Sequence, residues 1–130
     1  MTMEPSPEYV RQELQLANEA LDDAEFLLQD DRLKAAANRA YYAMFYAVRA
    51  ALASAGVERP RSHRGAINLF IRYWVRTDKV DQVLAKDLQD AFDLRQKGDY
   101  DVYAVLGGEV VRETIEKAKT FVSTFKGILE

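Results

Sequence analysis

The chain contains no cysteine and a single histidine, His63, among its 130 residues. The absence of cysteine excludes a disulfide framework, a thiolate metal site and a cysteine nucleophile. One histidine also argues against zinc, which ordinarily needs several histidine or cysteine ligands, so we expect no bound metal and no cofactor. A serine hydrolase would have to use His63, yet no serine lies in a Gly-x-Ser-x-Gly motif.

Long apolar runs are also missing, because no stretch of about 18 uncharged apolar residues occurs. We therefore expect no membrane-spanning helix. The first ten residues, MTMEPSPEYV, hold no basic segment followed by an apolar core, so we expect no signal peptide and a cytoplasmic location. The length suits one domain with one hydrophobic core, which we assign to residues 1–130 with residues 1–6 flexible.

Proline is scarce and does not occur after Pro60, so nothing of this kind interrupts helices in the second half of the chain. Apolar residues recur at spacings of three and four, which is typical of amphipathic helices. The pattern predicts helices at about 7–30, 32–55, 63–76, 79–97 and 105–129. We expect Gly56 and Gly98 to end the second and fourth helices. Two glycines before Glu109 give the last helix an alternative start there.

No segment has the alternating pattern of a strand. The sequence therefore predicts an all-α fold, an antiparallel up-down bundle of about five helices with a four-helix core plus one short helix. The second helix is rich in alanine and almost wholly apolar, which predicts a buried central helix or an interface helix. Acidic residues along the first helix, including Glu8, Glu13 and Glu19, are expected on solvated faces.

Charge is strongly segregated along the chain. The net charge is −8 over residues 1–31, +8 over residues 32–79 and −3 over residues 80–130. In one interpretation the acidic first helix and the basic middle segment are neighbours, within one fold or across a dimer. In the other the basic segment faces a polyanion, because phosphate contacts need clustered arginine and lysine. The second interpretation names four candidate polyanion contacts: Arg59, Arg61, Arg72 and Arg76.

Three polar segments interrupt the apolar helices: Asn38-Arg39, Arg61–Arg64 and Leu94–Tyr100. If the bundle brings these helix ends together, their side chains form one hydrogen-bonded cluster. The candidate binding residues of this cluster are Asn38, Tyr42, His63, Arg64, Arg95, Asp99 and Tyr100. A network that only fixes the register of the helices is the alternative interpretation.

The same segments carry a family resemblance. The strings NRAYYAMFYA at 38–47, SHRG at 62–65 and FDLRQKGDY at 92–100 together resemble the HEPN domain family over about residues 8–128. More narrowly, they are similar to small stand-alone HEPN proteins with an Arg-x-x-x-Asp-Tyr signature. The resemblance implies a bundle that is often dimeric and frequently paired with a minimal nucleotidyltransferase, in a toxin–antitoxin-like or regulatory pair.

Many HEPN proteins are metal-independent ribonucleases that use an arginine, four to six intervening residues and a histidine. The arginine stabilises the developing phosphorane charge and the imidazole moves a proton. In this chain glycine, valine and glutamate occupy the positions where His63 would need its arginine, and the Asp99-Tyr100 pattern follows Arg95 in place of the expected histidine. An ionised aspartate repels phosphate. We therefore assign no catalytic residue and favour a protein that is not an enzyme.

Three functional hypotheses follow. The first is a non-catalytic or regulatory HEPN protein that forms a homodimer, pairs with a nucleotidyltransferase, and binds nucleotide or RNA. The second is a metal-independent ribonuclease in which His63 and Arg95 meet in space, across helices or across a dimer. The third is a purely structural dimerisation module whose polar cluster fixes helix register.

Overall fold

A computed structural model describes residues 6–130, and within that range it contains five α-helices and no strand. The helices are α1 (Pro7–Gln29), α2 (Leu33–Ser54), α3 (His63–Phe70), α4 (Val83–Tyr100) and α5 (Gly108–Leu129). The four long helices α1, α2, α4 and α5 form the core. The short helix α3 lies in the connection between α2 and α4. The predicted all-α bundle is confirmed.

Helix α1 begins where its capping residues predict. Oγ of Ser6 accepts a hydrogen bond from the backbone N–H of Tyr9 at 3.3 Å, and Pro7 occupies the first turn. The expectation that residues 1–6 are flexible lies outside the described residues except at Ser6, which forms this cap. At the end of α2, Gly56 adopts a left-handed conformation with a φ of 75°, as its predicted role in stopping the helix requires.

Helix α2 lies at the centre of the bundle and packs against the other four helices. Twelve of its residues are buried. Most are alanines, whose methyl groups let neighbouring backbones approach closely: Ala36, Ala37, Ala40, Ala43, Ala47, Ala50, Ala51 and Ala53. The predicted central position of this helix follows from that composition, because it leaves almost no polar surface to face water.

The segment after α3 corrects the prediction of one α-helix over 63–76. The α-helix ends at Phe70, and Ile71–Val75 form one π-helical turn. The N–H of Arg76 accordingly donates to the carbonyl of Ile71, five residues earlier, at 2.8 Å. Nε1 of Trp74 donates to the carbonyl of Ala51 at 3.2 Å and attaches this turn to α2.

Helix α4 differs from the prediction at both ends. It begins at Val83 rather than near residue 79. At this start, Oδ1 of Asp81 accepts a hydrogen bond from the backbone N–H of Val83 at 2.9 Å. It continues through Gly98 to Tyr100, so the predicted end at Gly98 is wrong. A Cβ at Gly98 would lie 3.2 Å from Cδ1 of Leu106, so glycine here permits close packing.

The acidic first helix and the basic middle segment are neighbours in the fold, as the first interpretation of the charge pattern expects, because α1 packs on α2. Glu13 is only 3% exposed, contrary to the predicted solvated position, because it forms an ion pair with Arg49 of α2. Helix α1 packs mainly on α2 and α5. No arginine between 59 and 76 forms an ion pair within residues 6–130. The acidic helix therefore pairs with the basic segment through Arg49, and no residue of α1 forms an ion pair with the arginines between 59 and 76 in the described range.

Candidate functional site

His63 stands at the start of α3, against two consecutive tyrosines of α2. The helix begins there because Oγ of Ser62 accepts from the N–H of Gly65 at 2.9 Å. Nδ1 of His63 lies 2.8 Å from Oη of Tyr41, and Nε2 lies 3.5 Å from Oη of Tyr42. One turn of α2 therefore contacts both ring nitrogens, closely at Nδ1 and loosely at Nε2.

The environment keeps both partners of the short contact uncharged. Burial raises the pKa of Tyr41 above its usual value, so its hydroxyl stays protonated. Burial, together with the positive charge of Arg95, lowers the pKa of His63 below its usual value. A neutral imidazole has one N–H and one acceptor nitrogen, so at neutral pH His63 suits a proton acceptor better than a proton donor.

Arg95 of α4 is enclosed by aromatic rings. It is only 5% exposed. Its guanidinium carbon lies 5.1 Å from the ring centre of Tyr41, 5.3 Å from that of Phe92 and 5.8 Å from that of Tyr42, within range of cation–π attraction. Its Nε has no hydrogen-bond partner within residues 6–130.

Asp99 links Arg95 to α2. Its Oδ2 lies 3.6 Å from Nη1 of Arg95 and accepts a hydrogen bond from Nδ2 of Asn38 at 2.9 Å. Oδ1 of Asn38 in turn accepts from Nη2 of Arg39 at 2.9 Å. Because α4 continues past Gly98, Arg95 and Asp99 are four residues apart on one helical face. The turn expected at Asp99 would have broken this geometry.

The last two residues of the predicted cluster lie at its edge. Nη1 of Arg64 donates to Oε1 of Gln89 at 2.8 Å, and its guanidinium carbon lies 5.2 Å from the ring centre of Phe92. Tyr100 is 73% exposed, with its ring centre 5.9 Å from the guanidinium carbon of Arg95. The structure thus brings the three predicted segments together around the aromatic rings between α2, α3 and α4.

A cavity of about 340 Å³ opens beside His63, and we call it the basic groove. Its lining residues are Tyr42, Phe45, Arg49, Arg59, Pro60, Arg61, Ser62 and His63. No aspartate or glutamate of residues 6–130 is among them. Arg59 and Arg61 are exposed and form no ion pair with any residue in the described range, so their charge is available to an anion.

The four predicted polyanion contacts separate into two pairs. Arg59 and Arg61 line the basic groove, whereas Arg72 and Arg76 are exposed on and just after the π-helical turn and do not line it. Arg95 is not a lining residue either. His63 and Arg95 therefore share the rings of Tyr41, Tyr42 and Phe92 as neighbours, but only His63 reaches the groove.

Sequence reasoning missed three residues that shape this region: Tyr41, Arg49 and Glu13. Tyr41 lies in the almost wholly apolar sequence of α2, but a buried tyrosine hydroxyl ordinarily needs a partner. Arg49 interrupts the apolar sequence of α2 and pairs with Glu13 at 2.9 Å. An isolated charge on an otherwise apolar helix is a signal for such a partner.

No group of three or more histidine, cysteine, aspartate or glutamate side chains within residues 6–130 is arranged to hold a metal ion. No helix between residues 6 and 130 is both long and apolar enough to cross a membrane.

Residues 10–128 match the HEPN domain family. The chain belongs to this family. A UPF0332 protein of Thermotoga maritima is 39% identical over 114 residues, which cover 88% of this chain and 86% of that protein. A Methanocaldococcus jannaschii protein named "putative toxin" is 29% identical over 125 residues, which cover 93% of this chain and 92% of that protein. A second protein of that organism, with the same description, is 28% identical over 116 residues, covering 89% of this chain and 78% of the relative.

The match to the HEPN family includes the whole candidate site. Asn38, His63, Arg95 and Asp99 all lie within residues 10–128, and so do the residues that line the basic groove. The resemblance inferred from the three polar segments is thereby confirmed. Both the ring-enclosed arginine and the groove are parts of the HEPN domain itself.

Proposed function

We propose that this HEPN protein is a non-catalytic, regulatory component of a toxin–antitoxin-like pair in the cytoplasm. It forms a homodimer, pairs with a nucleotidyltransferase, and binds nucleotide or RNA through the basic groove. The names of the two Methanocaldococcus jannaschii relatives support the toxin-like role. The binding role is supported by Arg59 and Arg61 beside His63, which form no ion pair within residues 6–130.

The proposal that the protein is not catalytic depends on one observation: Arg95 is buried among aromatic rings. An arginine that stabilises a phosphorane must touch the reacting phosphate. Arg95 is 5% exposed, is covered by aromatic rings, and lies next to the carboxylate of Asp99. Neither feature suits contact with a phosphate, and positions 100–102, where the proton-transferring histidine would follow Arg95, hold tyrosine, aspartate and valine.

Binding is tested by titrating the protein with nucleotides and single-stranded RNA across a salt series. We expect affinity to fall with salt, because phosphate contacts release counterions. The double variant Arg59→Gln, Arg61→Gln should lower the magnitude of the logarithmic salt slope for RNA by about 1.4, at about 0.7 per lost contact. The matched control, Arg72→Gln with Arg76→Gln, removes the same charge outside the groove. Equal losses in both double variants, or no binding at low salt, would refute binding in the groove.

The assembly is tested separately. Light scattering during size-exclusion chromatography should give twice the mass of one chain at micromolar concentration. Affinity capture from the source organism should recover a nucleotidyltransferase, and purified partner should then bind the purified protein directly. A monomer in the first experiment refutes the homodimer, and absence of direct binding in the second refutes the partner.

A metal-independent ribonuclease that uses His63 and Arg95 is a second candidate. The neutral imidazole of His63 at the edge of the groove favours it, because such a ring can take the proton of a 2′-hydroxyl. Purified protein would then cleave RNA in the presence of a chelator, and His63→Ala would abolish cleavage. If the parent protein leaves RNA intact, or the variant cuts as fast as the parent, this candidate fails.

A further inference from the structure

A second cavity, of about 140 Å³, adjoins the basic groove, and we call it the apolar pocket. Apart from two arginines, its lining is aromatic or apolar: Tyr9, Leu52, Ala53, Val57 and Pro60. Arg49, Arg59 and Pro60 line both cavities. A single ligand can therefore occupy the two cavities at once, with the arginines at their junction.

We propose that the two cavities together bind one nucleoside monophosphate unit, with the base in the apolar pocket and the phosphate in the basic groove. The inference rests on the nucleotide or RNA binding proposed above and specifies how it occurs. Small-molecule sites typically combine apolar walls with a few polar groups that fix orientation. A nucleotide has the same division between a flat apolar base and a charged phosphate.

The base half depends on the junction between Tyr9 and Arg49. Nη2 of Arg49 lies 2.9 Å from Oε1 of Glu13 and donates to Oη of Tyr9 at 3.4 Å. The tyrosine of α1 and the arginine of α2 are therefore held together before a ligand arrives, which lowers the entropic cost of binding. Tyrosine rings and arginine guanidinium planes are the surfaces on which bases stack.

Hydrogen-bonding capacity remains at this junction. Within residues 6–130, Nε of Arg49 has no partner although it is buried. A buried polar atom without a partner is uncommon in native proteins and calls for an explanation. A ligand acceptor group at the boundary of base and phosphate would satisfy it after a small movement of the guanidinium.

The phosphate half depends on Arg59, Arg61 and the start of α3. Arginine recognises phosphate oxygens through paired N–H donors. The amino end of α3 adds favourable backbone dipoles. No carboxylate of the described range lines the groove, so none of those residues repels a phosphate there.

The same unit can come from a free nucleotide or from the 5′-terminal nucleotide of an RNA. The titration therefore compares adenosine, uridine and guanosine monophosphates, the matching nucleosides, inorganic phosphate, and one RNA oligonucleotide with and without a 5′-phosphate. We expect a monophosphate to bind at least about tenfold more tightly than its nucleoside or phosphate alone, because it engages both cavities. Preference for 5′-phosphorylated RNA over both free nucleotides and 5′-hydroxyl RNA identifies the terminus as the source.

Substitutions in each cavity test the base-binding half and the phosphate-binding half of the site separately. Tyr9→Ala should weaken monophosphate binding by about fivefold or more, the effect of losing one base–aromatic contact, and leave phosphate binding unchanged. Tyr9→Phe, which keeps the ring, should retain most of the affinity. Arg59→Gln should weaken the binding of both phosphate and monophosphate.

Equal affinity for phosphate and monophosphate, or full monophosphate affinity in folded Tyr9→Ala, overturns the proposal. RNA binding that survives both results leaves the broader proposed function standing, whereas absence of all binding refutes the two together.

Discussion

Nη2 of Arg49 lies 2.9 Å from Oε1 of Glu13, and the two side chains are only 14% and 4% exposed. The pair joins α1 to α2 directly behind the junction of the basic groove and the apolar pocket. A buried ion pair adds little net stability compared with apolar residues, but removal of one partner leaves an uncompensated charge. The ion pair instead fixes the position of Arg49, which lines both cavities.

Glu13→Ala should therefore lower the free energy of unfolding by about 3 kcal/mol, at the lower end of the range for a broken buried pair because Arg49 keeps some exposure. Urea unfolding followed by circular dichroism measures the change. Glu13→Met combined with Arg49→Met should lose less than the single substitution, since no charge stays buried. Lys86→Ala, at an exposed ion pair with Asp90, is the control and should cost far less, because solvent screens that pair. A Glu13→Ala cost as small as that of the control would contradict the assignment.

The imidazole of His63 should titrate below its usual range around 6.5. Because His63 is the single histidine of the sequence, its ring protons are easily followed by NMR over a pH series. Arg95→Met removes the nearby positive charge and should move the midpoint upward, while Arg76→Gln should not move it. A midpoint at or above 6.5 in the parent protein would show that the ring is not in the environment described.

The same shift has a consequence for stability. The folded state resists protonation of His63, so the unfolded state binds more protons as the pH falls below about 6.5, and stability should decline there. The decline ends once the pH is below the pKa of the folded state. Unfolding midpoints at several pH values, compared between the parent and His63→Gln, isolate this contribution from that of the carboxylates. Parallel curves for the two proteins would exclude it.

Local signals account for most of what the sequence predicts correctly. The cap at Ser6, the left-handed Gly56 and the alanine-rich α2 depend on neighbouring residues, so the bounds of α1 and α2 follow closely. The three polar segments are also local patterns, and helix packing brings them together.

The failures arise where tertiary contacts override local preference. Gly98 reads as a helix end from the sequence, but contact with Leu106 determines its role. The π-helical turn is associated with the hydrogen bond from Trp74 to α2, which no local pattern reveals. The basic groove likewise combines Arg49 with Arg59 and Arg61 across a loop. Arg72 and Arg76 lie outside this groove, because they are on and just after the π-helical turn.

Gly98→Ala tests the reason for glycine at that position. Alanine is favoured over glycine within a helix by about 0.5–1 kcal/mol, but the new Cβ would lie 3.2 Å from Leu106. The two effects oppose each other, so we expect little net change in thermal stability. Gly98→Val should be clearly destabilising because its branches cannot avoid Leu106 and Lys34. Gly127→Ala, where a Cβ meets nothing within 4 Å, is the control and should stabilise. Equal tolerance of valine and alanine at Gly98 would refute close packing.

Tyr41→Phe tests the contact with Nδ1 of His63. Loss of a buried hydrogen bond should cost about 1 kcal/mol, measured by urea unfolding. Tyr42→Phe removes the longer, 3.5 Å contact at Nε2 and should cost less. Because the pKa of Tyr41 is raised by burial, its removal should also leave the absorbance change of tyrosine ionisation near pH 10 unaltered. A smaller change in Tyr41→Phe than in the parent would show that Tyr41 ionises normally.

Arg95→Met separates a structural role of the cluster from a role in binding. The substitution removes the cation from among the rings and leaves Asp99 without its ion pair, so we expect a lower melting temperature. Arg95 does not line the basic groove, so affinity for single-stranded RNA should stay within about twofold, a change below 0.5 kcal/mol. Arg59→Gln should show the opposite behaviour, because an exposed arginine contributes little to folding but can contact phosphate. If folded Arg95→Met loses as much RNA affinity as Arg59→Gln, then Arg95 reaches the ligand, and the composite site with His63 becomes the better account of this HEPN protein.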